Sequence, residues 1–266
     1  SLIQSVTKRA LSNTNNESKT FLNILLNLLT LCVNRKEYET AQLPPLLQEL
    51  IPADDVDDEE SKEKPLQKLH KLLYSPPTEL PYTIQIQSAE VSPLGHYRLK
   101  CVELVFFLLK CNFHTVDNAL INNKVLSRVI DLFFQYKWNN VLHALIEKIC
   151  LYILESKPPY LCLILLRECH LLERILQAHQ NEQQEKRMKS KKLHNGYMGH
   201  LYNISNGIIK CSKNHSAIFY LLEDVPNKAW KNFVDTQLRQ MNGILSQPRP
   251  EIQQKPIGTF RLEKFM

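Results

Sequence analysis

The chain has 266 residues, a formal net charge of +6, only 6 glycines and 44% hydrophobic residues. That length is ample for a sizeable core, and the scarcity of glycine together with abundant leucine argues against a sandwich, a barrel or a nucleotide-binding sheet. Its longest apolar stretches, such as 21–33, are interrupted by Asn23, Asn27 and Thr30 and fall short of the roughly 18 residues that cross a bilayer, so no membrane span is expected.

In chain order, Thr20 to Asn34 has the i, i+3, i+4 apolar spacing of an amphipathic helix, with Phe21, Ile24, Leu25, Leu28, Leu29 and Cys32 on one stripe. Pro44 and Pro45 open a short helix over Leu46 to Ile51, because proline is tolerated in a first turn. Residues 53–64 contain the acidic run Asp54 to Glu60 and read as an aperiodic loop or insert. A further short helix, Pro65 to Leu73, is stopped by Pro76, Pro77 and Pro81. Tyr82 to Val91 alternates apolar and polar residues as a short extended segment with no obvious strand partner.

From Tyr97 the pattern becomes regular. Helices are predicted over Arg98–Lys110, Val116–Asn122, Val125–Tyr136, Asn140–Glu155, Tyr160–Glu168 and Leu171–Gln183. A shift of about 46 residues, near the period of armadillo and HEAT arrays, lays Val105, Phe107 and Leu108 on Leu151, Ile153 and Leu154. The same shift lays Leu126, Arg128 and Val129 on Leu172, Arg174 and Ile175. A third unit starts at Gly196 or Met198, and Pro226 opens a last helix with Trp230, Phe233, Leu238 and Met241. The fold class is therefore all-α: an armadillo/HEAT-like helical-repeat array, an α-solenoid. N-terminal helices occupy 1–52, the array continues over 65–245, and 246–266 is a proline-containing linker or tail. The chain starts at Ser1 without a signal-peptide pattern and reads as a piece of a longer protein.

Chemistry-bearing constellations are sparse. The 7 cysteines are an odd number, contain no Cys-x-x-Cys pair and mostly stand among apolar residues, which suits reduced, buried thiols inside the cell rather than a metal site. Cys169 and His170 are adjacent, and neighbours on a helix point about 100° apart, so they make a poor nucleophile–base pair. Gly196 and Gly199 lack the strand and the further glycines of a phosphate-binding loop. The basic cluster Lys186 to Lys192 has no interleaved aromatics, so a nucleic-acid partner is not expected. The three Asn-x-Ser matches at Asn16, Asn203 and Asn214 carry no weight beside free cysteines. No catalytic residue, metal ligand or cofactor site is assigned.

Three joints stand out. Ser92 to Leu99 (SPLGHYRL), Asp131 to His143 (DLFFQYKWNNVLH) and Gly196 to Leu201 (GYMGHL) each stand at the start of an apolar helical pattern, and Cys169 to Ala178 (CHLLERILQA) lies between the last two. These four motifs, in this order, resemble the SAPS family, the regulatory subunits of protein phosphatase 6, and weaker similarity runs from about Phe21 to about Asn242. The resemblance implies a non-catalytic scaffold that binds the phosphatase 6 catalytic subunit and directs it to substrates, in the cytoplasm with the nucleus as a second location. The absence of Gly-Asp-x-His and Gly-Asn-His-Glu segments agrees with a chain that has no phosphatase chemistry of its own. The protein-contact candidates are Arg98, Trp138, Asn139, Asn140, His143, Tyr197, Met198 and His200. Asn139 also suits a helix N-cap, and Trp138 is of a type enriched in binding hot spots. A general helical-repeat adaptor without a phosphatase partner is the alternative.

Overall fold

The computed structural model describes residues 2–11, 20, 22–27, 44–51, 64–74, 84–86, 89–91, 93–187 and 195–245. The acidic run at 54–60, the prolines at 76, 77 and 81, the basic residues at 189–192, Cys32 and the tail at 246–266 lie outside them.

Among the described residues the N-terminal part is helical at 22–27 and in α1 (Leu2–Ala10), α2 (Pro45–Leu50) and α3 (Pro65–Tyr74). Proline stands at the first position of α2, where its missing N–H costs nothing. Two short strands follow, β1 (Ile84–Ile86) and β2 (Ala89–Val91), paired antiparallel with Ile84 opposite Val91. The extended segment predicted over Tyr82 to Val91 thus has a partner, its own second half.

The regular part begins at α4 (His96–Lys110), followed by α5 (His114–Asn122) and α6 (Val125–Gln135). Gly95 stands before α4 at φ 80°, a conformation that glycine adopts without a Cβ penalty. The second unit is α7 (Asn140–Ser156), α8 (Pro159–Leu163), which runs on into a π-helical turn at Ile164–Glu168, and α9 (Leu171–Arg187). The third is α10 (Met198–Asn214), α11 (Ser216–Glu223) and α12 (Ala229–Phe233), the last continued by a π-turn at Val234–Leu238 and by α13 (Arg239–Leu245).

Like packs on like. The first helices stack as α4, α7 and α10, and α8 packs on α11. In the third layer α3 packs on α6, α6 on the π-turn that precedes α9, and α9 on α12. Leu104, Val105, Leu108, Ile146, Ile153, Ile208 and Ile218, all fully buried, fill the space between units in one continuous core. No unit could bury its apolar stripes alone, which is the physical reason for stacking. The first helices start at His96, Asn140 and Met198, so the second interval is longer than the first. The excess begins in α9, 17 residues against 11 for α6.

The repeat recurs in the backbone. Lys124, His170 and Lys228 each stand one residue before a third helix, and each has a left-handed φ, of 53°, 55° and 52°. Cys101, Cys111, Cys150, Cys162, Cys169 and Cys211 are free and buried, and burial pushes the Cys162 thiol up to about 12, so these are packing groups.

Candidate protein-binding joint

The motifs singled out in the sequence meet in space where α4, α6, α7 and α10 converge. Arg98 enters from α4. Its side chain is buried, Nε donates to the Leu94 carbonyl at 2.8 Å, and one guanidinium nitrogen donates to the Pro93 carbonyl and to Tyr136 Oη. The guanidinium carbon lies 5.2 Å from the centre of the Tyr136 ring. Arg98 therefore ties the loop before α4 to the end of α6, and burial pulls its pKa below the usual range.

Asn139 caps α7, its side-chain oxygen accepting the Leu142 N–H at 3.1 Å. One turn later His143 is fully buried, with Nε2–H donating to the Phe133 carbonyl at 3.1 Å. Its ring sits 4.8 Å from Phe133 and edge-on to Tyr197 at 5.7 Å. Burial pushes its pKa down to about 4, so the imidazole is neutral at pH 7. Tyr197 also meets Phe134 edge-on at 5.5 Å, closing an aromatic cluster of Phe133, Phe134, His143 and Tyr197. The Gly196 N–H donates to the Lys137 carbonyl at 2.9 Å, and a Cβ on Gly196 would meet that carbonyl at 3.0 Å. The close approach of the two motifs thus depends on glycine at this position. Gly199, by contrast, faces open space.

As direct contacts, Arg98, His143, Tyr197 and Met198 are corrected by this geometry. They are 1%, 0%, 5% and 7% exposed, and the Arg98 guanidinium and the His143 Nε2–H are used to build the joint. The accessible part is the outer edge, with Asn140 and Val141 exposed and Trp138, Asn139 and His200 half-buried. There His200 Nδ1–H donates to Glu147 Oε2, while His200 Nε2 lies 2.7 Å from Asn140 Oδ1. Asn203 Nδ2 donates to the other Glu147 oxygen at 3.0 Å. Glu147 and Asn203 were missed in the sequence because an acid and an amide on exposed helix faces carry no periodic signal. Asp117 and Lys157 were missed as well; they form a buried ion pair at 2.9 Å between α5 and the α7–α8 link, where Lys157 also donates to Asn112 Oδ1. One signal was available: Asp117 lies on the buried stripe of α5 with Val116 and Leu120, and a carboxylate there requires a buried base.

Among the described residues no group of three or more His, Cys, Asp or Glu could hold a metal ion, and no helix is long and apolar enough to cross a membrane.

Stacked three-helix units, with a polar edge on a buried aromatic joint, define a helical-repeat protein with the architecture of a binding scaffold. The sequence profile of the SAPS family, described as SIT4 phosphatase-associated protein, matches residues 1–246, and the chain belongs to that family. It is 32% identical over 173 residues to serine/threonine-protein phosphatase 6 regulatory subunit 3-A of Xenopus laevis, covering 56% of this chain and 20% of that protein. It is 30% identical over 194 residues to regulatory subunit 1 of Mus musculus, covering 66% and 22%. Against the Extragenic suppressor of kinetochore protein 1 of Schizosaccharomyces pombe it is 29% identical over 125 residues, 44% of this chain and 15% of that protein. The chain thus spans about a fifth of the length of the first two of these relatives. No solved structure matches it.

Proposed function

We propose that this chain is a non-catalytic part of a phosphatase regulatory subunit that binds the phosphatase 6 catalytic subunit and helps to direct it to substrates. The observation that carries this reading is membership of the SAPS family across 1–246, together with relatives named as phosphatase 6 regulatory subunits. The mechanism is binding. A rigid stack presents the edge formed by Trp138, Asn140, Val141 and His200, while Arg98, His143 and Tyr197 hold that edge in shape from behind. Val141 is 64% exposed and stands beside the half-buried Trp138 loop, so the edge offers an apolar centre with a polar border. The reduced, buried thiols fit work inside the cell, and we assign the chain to the cytoplasm with the nucleus as a second location.

The test is affinity capture of the catalytic subunit by the tagged chain and by its full-length parent. Capture by both supports the reading and assigns the contact to these repeats. Capture by neither overturns it and leaves a helical-repeat adaptor. The double variant Trp138→Ala, Asn140→Ala is expected to lower capture by about tenfold, the effect of losing a hot-spot contact of about 1.4 kcal/mol, with an unchanged helical circular dichroism signal.

A further inference from the structure

Away from that joint, the cleft where the first unit meets the second holds a cavity of about 400 Å³. Ile121, Leu126 and Ile164 give it apolar walls, and Lys124, Ser127 and Glu168 stand around it. Its two sides are the tight turn from α5 into α6, with Lys124 at a left-handed φ, and the π-turn Ile164–Glu168. Single π-turns in α-helical segments recur at functional sites, and this one forms the far wall of the opening.

The charges around the opening are divided, with Lys124 on the turn into α6 and Glu168 on the π-turn. Lys124 and Glu168 are both exposed, and no ion pair joins them among the described residues. On the Lys124 side the surface continues along α6 to Arg128, whose guanidinium donates to the Leu73 and Tyr74 carbonyls at 3.2 and 3.4 Å and lies 4.6 Å from the Tyr74 ring centre. His70 of α3 faces the same bases. Burial first, then Arg128 and Lys124, lower its pKa, while Asp131 opposes them. The carboxylate on this surface, Asp131, is already engaged, 2.5 Å from Arg174 and 3.7 Å from Arg128. Lys124 is left with no carboxylate partner among the described residues. Beside Arg128, Tyr74 is 64% exposed and already carries that guanidinium on its ring face.

We infer that this cleft binds a short segment of a protein partner in which an apolar side chain is followed by acidic residues. The apolar side chain enters the cavity, whose volume lies within the range of ligand pockets, about 300–1,000 Å³. The acidic residues run over Lys124, on the side of the cavity away from Glu168. Glu168 sets the direction: an acidic stretch leaving the cavity on that side would meet a like charge, so the segment binds in one orientation. This surface involves none of the residues assigned above to phosphatase capture, so the two readings stand or fall separately.

Random-peptide display on the whole chain, followed by fluorescence anisotropy with the selected peptides, tests it. The expected selection is peptides with an aliphatic or aromatic residue next to several acidic ones. Lys124→Glu weakens their binding about tenfold, the loss of a charge contact of about 1.4 kcal/mol. Glu168→Lys strengthens binding several-fold, a gain that damage to the fold could not produce. Ser127→Leu, which fills the opening, abolishes binding. It also removes the 3.4 Å contact between Ser127 Oγ and Cys169 Sγ, so the two exposed charge variants decide the matter. Selected peptides without acidic residues, equal binding by both charge variants, or displacement of the peptide by an oligonucleotide or by anionic lipid vesicles would each overturn the inference.

Discussion

Asp117 and Lys157, which link α5 to the end of α7, meet at 2.9 Å with side chains 4% and 0% exposed. Glu147 and His200, which link α7 to α10, meet with side chains 17% and 16% exposed, and further along the same two helices Lys210 and Glu155 pair in the open at 69% and 48%. The first link is a charge pair sealed in the stack, and the second is a row of polar contacts laid over an apolar seam. A sealed pair costs much when one member is lost, because the other stays buried and unpaired, whereas a surface pair exchanges for water. The first and second units are therefore locked in one arrangement, while the seam of the second and third rests on shape. A Cβ on Gly207 of α10 would come within 2.6 Å of Leu151 Cδ2 on α7.

The largest effect that would break this comparison is at the sealed pair. Lys157→Met is expected to destabilise the chain by about 3–5 kcal/mol in urea unfolding, since Asp117 then remains buried without its base. Adding Asp117→Leu should recover most of that loss, because an apolar pair of similar volume avoids the desolvation of both charges. A single-variant cost below about 1 kcal/mol would place the pair with ordinary surface bridges and remove the contrast.

Next comes the aromatic joint. His143 has its pKa lowered from 6.5 to about 4 by burial, so below pH 6.5 the unfolded chain takes up a proton that the folded chain refuses. This contribution to stability is fully present above pH 6.5 and is lost as the pH falls towards 4, by about 3 kcal/mol in all. Urea midpoints measured between pH 7 and pH 4 should show the decline. In His143→Gln, which keeps a donor for the Phe133 carbonyl, this part of the pH dependence should be gone. An unchanged slope would mean that other groups cause it.

The extent to which all this was legible in the sequence follows the same division. Helices with a continuous apolar stripe were placed closely: Val125–Tyr136 was expected and Val125–Gln135 is found, and Asn140–Glu155 became Asn140–Ser156. Stripe periodicity is a local property, so one helix reveals its own buried face. The identity of a polar group's partner is not local. Arg98 finds Tyr136 across 38 positions and Lys157 finds Asp117 across 40. For that reason Arg98, His143 and Tyr197 read as surface contacts until the stack enclosed them. The motif joints themselves were legible, because Asn139, Gly95 and Gly196 are residue types that caps, left-handed turns and close approaches demand.

The seam between the second and third units gives the next smaller effect. Gly207→Val puts a branched side chain against Leu151 and Leu154, and overpacking of this kind costs about 1–3 kcal/mol. Because Leu151 Cδ2 is the end of a flexible side chain, Gly207→Ala should be far milder, the crowding being offset by about 1 kcal/mol of helix propensity. Equal losses from alanine and valine in thermal unfolding would mean that the seam is rigid rather than adjustable.

The smallest effect sharpens the comparison most, because it measures the polar row alone. Glu147 accepts from both His200 and Asn203, and these contacts cross from α7 to α10. A double-mutant cycle of Glu147→Gln with Asn203→Ala leaves His200 in place in every variant and isolates one of them. The expected coupling is below about 1 kcal/mol and shrinks further when the salt concentration is raised, since half-open pairs are screened and compete with water. A coupling comparable with the loss at Lys157 would show that the outer row locks the units as firmly as the sealed pair does. In that case burial would no longer distinguish the two links, and the edge carrying Asn140 and His200 would have to be treated as part of the structural frame rather than as a surface free to receive a partner.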